Sequence, residues 1–221
     1  MGANLLPGND AKITLGASTL IVGCNKFSMS GITRQTIDAS EFGVDADRFV
    51  EGSANPGTIS IADAIYDAGN TVQKGLRDAV KNKTRYTHSV IGDTTAGLRF
   101  WLDDYAYFTV ENSTDAFLFV TKANDVGTER NGLAKCSIEM QVSGGFMDLY
   151  VDLTLNDTGG LATGDTSIVV DYIPPYIPQT GTISDGTNTF TYTAWTGKTF
   201  TITAVGAGIT VADDSVLRIK L

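Results

Sequence analysis

Short runs rich in Val, Ile, Phe, Tyr and Thr, broken by Gly, Asn and Asp about every 8 to 12 residues, fill the chain beyond residue 86. They are Thr87 to Ile91, Leu98 to Leu102, Ala106 to Val110, Ala116 to Thr121, Ala134 to Val142 and Phe146 to Leu155. Runs of this length, with breakers between them, leave no room for helices and predict an antiparallel sandwich or barrel. Ser143-Gly144-Gly145 joins the last two as a tight hairpin. Upstream, residues 12 to 22 (KITLGASTLIV) read as a strand pair bent at Gly16.

One segment departs from this pattern. Between Arg48 and Val80 the chain reads RFVEGSANPGTISIADAIYDAGNTVQKGLRDAV. Pro56 fixes φ and Gly57 tolerates positive φ, so the chain turns there before Thr58-Ile59-Ser60-Ile61 extends it again, Ile59 and Ile61 to one side. Asn70 and Gln73 have the spacing of a helix-capping pair, and Val72, Leu76, Ala79 and Val80 recur at helical spacing. This predicts a single helix over about 70 to 82 that lies on a sheet. Lys81 and Lys83 suit its C-terminal end, and Gly75 inside it costs about 1 kcal/mol against Ala, so packing must hold it.

The order of these parts resembles the tail tube (major tail) proteins of long-tailed bacteriophages, over residues 10 to 155. The likeness rests on the phrases FVEGSANPGTISI and TVQKGLRDAV and on the strand Gly97-Leu98-Arg99-Phe100-Trp101. It implies a structural virion protein that forms stacked hexameric rings, a β-lined lumen for genome passage, and synthesis in a host cytoplasm. The polar excursion of residues 25 to 57 corresponds to a loop that, in that family, reaches over a neighbouring subunit. Here it would use Arg34, Asp38, Glu41, Phe42, Asp45, Arg48 and Phe49. Phe42 and Phe49 suit packing on their own sheet equally well. Lumen candidates are the acids in or beside expected strands: Asp63, Glu111, Glu139, Asp148 and Asp152. A one-residue slip in register would reverse their facing.

Charge bears on that role. The 221 residues carry a net charge of −9, spread along the chain, which supplies no Lys/Arg stripe for stable nucleic-acid binding. DNA repelled by a negative wall can slide past it, although acidic surfaces also serve solubility alone. The expected partners are therefore further copies of the chain and other tail proteins, with only transient DNA passage. The longest apolar run, Ala116 to Val120, is far short of the roughly 20 residues of a membrane span. The opening MGANLLPGNDAK reads as neither a secretory signal nor, with Leu6, a myristoylation site.

Catalytic chemistry finds little to build on. His88 is the single histidine, in a context that reads as an ordinary strand, and no nucleophile motif accompanies it. Cys24 and Cys136 are not spaced for a metal and read as buried thiols, with a bridge between them the alternative. Asp103-Asp104 and Asp213-Asp214 are adjacent pairs, suited to loops and not to two carboxylates on one face. Residues 159 to 165 (GGLATGD) lack the stacked repeats of a calcium turn, and Gly92 to Gly97 lack a phosphate-loop lysine. No enzyme, cofactor or metal is expected.

Composition shifts near Asn156, so residues 156 to 179, ending in Tyr172-Ile173-Pro174-Pro175-Tyr176-Ile177-Pro178, read as a stiff connector. Residues 180 to 221 then read as a small β unit near the size limit for folding alone. The alternative function is a monomeric adhesin or carbohydrate-binding module with Tyr172, Tyr176, Tyr192 and Trp195 as a sugar-stacking surface.

Overall fold

The computed structural model describes residues 11–16, 19–21, 26–38, 49–67, 69–93, 96–123 and 132–221. The strands are β1 (Lys12–Leu15), β2 (Thr19–Leu20), β3 (Ser28–Met29), β4 (Thr33–Asp38), β5 (Phe49–Asn55) and β6 (Thr58–Ile65). After α1 (Thr71–Asn82) come β7 (Arg85–Tyr86), β8 (Leu98–Trp101), β9 (Ala106–Val110), β10 (Phe117–Ala123), β11 (Lys135–Ser143) and β12 (Met147–Thr154). The remainder are β13 (Ser167–Val169), β14 (Gly181–Ser184), β15 (Thr189–Thr196), β16 (Thr199–Ile202) and β17 (Val216–Lys220). The chain is mainly antiparallel β with one helix among the described residues, the class expected from the punctuated runs.

Two compact units share the chain. The first comprises residues 1–21, 88–109 and 148–221, the second residues 22–87 and 110–147. These boundaries differ from the sequence divisions at 155 and 180, because residues 180 to 221 join the same sheet as β12 and β1.

In the first unit a ten-stranded sheet runs β13-β16-β15-β14-β17-β12-β9-β8-β1-β2. Asn156 N donates to Val169 O at 2.9 Å and Asp171 N to Thr154 O at 3.0 Å, and Leu155 bridges Val170. These bonds return β13 to the end of β12, so β12 to β17 close into a ring with no free edge between them. Inward residues fill it: Leu153, Leu155, Ile168, Ile183, Phe190, Phe200, Leu217 and Ile219 are all buried in one cluster. The proline-dense segment is no spacer. Ile173, Tyr176 and Ile177 are buried in that cluster, and Tyr176 Oη donates to Asp103 Oδ2 at 2.7 Å. Asp103 also accepts the amides of Tyr105 and Ala106, so the adjacent-acid pair is a turn device in which exposed Asp104 meets Lys12 at 3.1 Å.

In the second unit a five-stranded sheet runs β3-β6-β11-β10-β7. Strict alternation buries Cys136, Ile138, Met140 and Val142 on one face of β11 and leaves Lys135 and Glu139 exposed on the other. Helix α1 packs beside β10, burying Gln73, Leu76 and Ala79. Asn70 is its N-cap, with Oδ1 accepting from Val72 N and Gln73 N at 3.1 and 2.9 Å. Gln73 does not close a reciprocal box. Its amide spans Asp67 N and Ile65 O, tying the helix start to the end of β6. Val80, expected on the buried face, is 41% exposed. Lys83 ends the helix in the left-handed region, φ 53°.

Candidate assembly surfaces

The excursion expected to be a loop is, in its described part, a two-stranded ladder. β4 and β5 pair from Thr33 opposite Asn55 to Asp38 opposite Phe49, with a register shift between Arg34 and Thr36. Arg34, Asp38 and Phe49 therefore lie in this arm, while Glu41, Phe42, Asp45 and Arg48 fall outside the described residues. No other described strand pairs with β4 or β5.

The base of the arm is built tightly. Gly57 has φ 102°, and a Cβ there would lie 2.6 Å from Ser30 O, so only glycine fits. Asn55 Oδ1 accepts from Gly57 N at 3.0 Å, and Gln141 Nε2 on β11 donates to Gly57 O at 2.8 Å. The strand extends through Asn55, so the turn is confined to Pro56-Gly57.

The five acids proposed for a lumen have unlike environments. Glu139 is exposed on β11. Asp63 occupies a bulge of β6 with φ 57° and an exposed carboxylate 4.0 Å from Lys135. Glu111 is half-buried just after β9, its carboxylate beside Gly145. Asp148 receives Lys220 Nζ at 2.5 Å. Asp152 is committed elsewhere and cannot present a free charge.

Asp152 sits between two buried arginines on one face of the first unit's sheet. Arg218 donates Nε to Oδ1 at 2.7 Å and Nη2 to Oδ2 at 3.1 Å, and Arg99 donates Nη1 to Oδ2 at 2.9 Å. Tyr107 Oη adds a bond to Oδ1 at 2.9 Å. Both guanidiniums also clasp residue 89, Arg99 through Ser89 Oγ at 2.8 Å and Arg218 through Ser89 O at 2.6 Å. Two cations face one carboxylate, and the aromatic faces of Tyr107 and Tyr150 take up the excess: Arg99 lies 4.7 Å from the Tyr107 centroid, Arg218 5.5 Å from each ring. Burial pulls the Arg218 pKa down, but the bond to Asp152 and its charge outweigh that and leave it raised. Burial, then the Asp152 charge, raises the Tyr107 phenol strongly. The cluster pins residues 88 to 90 across the sheet. It explains why the expected strand at 87 to 91 is irregular, with His88 packed 5.2 Å from the Tyr150 ring.

Among the described residues no three His, Cys, Asp or Glu side chains gather as a metal site. Cys136 is a buried free thiol whose pKa burial pushes up, and Cys24 lies outside the described residues. The sugar-stacking surface does not form. Tyr176 and Tyr192 are sealed in the core, Tyr172 lies against Tyr105 at 5.2 Å, and Trp195 Nε1 donates to Pro178 O.

No protein-family model matches the chain, and no curated protein matches it. Among solved structures, it overlaps a chain from the virion of a native gene transfer agent particle at TM-score 0.42 and 17% identity, over 65% of this chain and 97% of that one. It also overlaps a chain from an extracellular contractile injection system, a sheath-tube complex in the extended state, at TM-score 0.40 and 12% identity, over 66% and 90%. No helix among the described residues is long and apolar enough to cross a membrane.

Proposed function

We propose that this chain is a structural subunit that self-assembles into stacked rings to form the tube of a phage-type tail. The observation that carries this reading is the β4–β5 arm, a ladder of two strands whose outer edges meet no other described strand. A bare two-stranded ribbon is marginal in water and offers its unpaired amides and carbonyls to another chain. A heterologous contact repeated around a ring would complete those edges. The sequence resemblance to tail tube proteins supplies the hexamer, the virion location and the lumen as parts of the same proposal. Glu111 and Glu139, with exposed Asp63 at 4.0 Å from Lys135, are the acids we assign to that lumen, where they would keep passing DNA off the wall by like charge.

Negative-stain microscopy and sedimentation velocity of the full chain, over a concentration series, test the proposal. Rings or tubes of uniform width are expected. A monodisperse monomer at high concentration overturns it. Phe42→Ser should leave circular dichroism unchanged and abolish polymerisation, and normal tubes from that variant remove Phe42 from the interface.

A further inference from the structure

We infer that a groove beside β10 receives the β5 strand of a second copy; the inference rests on the assembly reading above. Strand β7 runs beside β10 only at Leu118 and Phe119, because the chain has just left α1 through the left-handed Lys83. Beyond Phe119 no other described strand lies on that side of β10. A groove of about 610 Å³ opens there, walled by Ala79, Val80 and Lys83 of the helix end, by Arg85, and by Phe119 and Val120 of β10.

Its chemistry favours an extended, acidic guest. Val80 is an apolar side chain 41% exposed, directed into the groove and covered by nothing described in its own chain. An open strand edge beside a groove of mixed apolar and polar lining is the geometry of strand addition, in which main-chain bonds give affinity. Lys83 and Arg85 make the rim cationic, although the whole chain is anionic. The proposed guest answers that charge: β5 carries Glu51, no cation, and the apolar pair Phe49-Val50. The arm and the groove are different surfaces, so the contact is head-to-tail and can propagate around a ring.

Charge exchange tests this on the full chain. Lys83→Asp, which keeps a residue tolerant of left-handed φ, should raise the protein concentration at half-assembly at least tenfold, and Val80→Gln should act in the same direction. Combining Lys83→Asp with Glu51→Lys should restore most of the loss. Assembly of both single variants at the wild-type concentration, or failure of the double variant to recover while its circular dichroism is native, overturns the inference and leaves the tube reading standing. Wild-type protein that never assembles overturns both.

Discussion

Arg218 and Asp152 stand directly opposite each other on β17 and β12, and the guanidinium grips both carboxylate oxygens of its partner, at 2.7 and 3.1 Å. This bidentate pair, with Arg99 on its far side, is the polar centre of the first unit. Asp152→Asn leaves two buried guanidiniums without a counter-charge and should cost about 3–5 kcal/mol in urea unfolding. Asp104→Asn, which breaks an exposed pair with Lys12, should change stability by less than about 1 kcal/mol.

Two substitutions in α1 should have opposite signs. Gly75→Ala adds a Cβ that meets nothing within 4 Å and should stabilise by about 1 kcal/mol. Asn70→Ala removes the acceptor of two helix amides and should destabilise by about 1 kcal/mol. Midpoints of denaturant unfolding at unchanged slope report both.

Alkaline pH should unfold the protein in a tyrosine-linked step. Burial is the leading cause of raised pKa values at Tyr86, Tyr105, Tyr107, Tyr176 and Tyr192. A raised folded-state value means the neutral phenol is favoured in the fold. That contribution is complete below the unfolded value of about 10 and is lost as pH climbs above it. Absorbance at 295 nm should show part of the phenolate signal appearing together with loss of circular dichroism, and not as a gradual titration.

The ring closed by β12 to β17 predicts which fragment folds. Residues 147 to 221 contain all its strands and should give cooperative unfolding and dispersed amide resonances. Residues 180 to 221 lack β12 and β13, so their ring cannot close and they should remain unfolded.

Lysine at Asp63, Glu111 and Glu139 together should leave tubes intact and slow DNA delivery by assembled particles, most strongly at low salt. Lysine at Asp152 should instead prevent folding, since it places a third cation between Arg99 and Arg218.

What the sequence disclosed was local. The hairpin at Gly16, the Pro56-Gly57 turn, the Asn70 cap and most strands follow from residues within a few positions of one another, and the structure has each of them. What it concealed depends on pairings across long separations. Arg99, Asp152 and Arg218 lie on three separate strands, so an acid read as lumen-facing proved to be an ion-pair centre. The proline segment read as a stiff connector because proline spacing says nothing of Ile173 and Ile177, which the ring draws inward. Polarity masked the β4–β5 ladder, whose strands TRQTID and FVEGSAN are largely polar and still pair.

Arg218 holds the carbonyl of Ser89 across 129 positions of chain. Such long-range closure makes folding slow, because loop entropy is spent before any contact rewards it. Strand edges formed before that closure would be open to pairing with other chains, so the yield of refolding should fall as protein concentration rises.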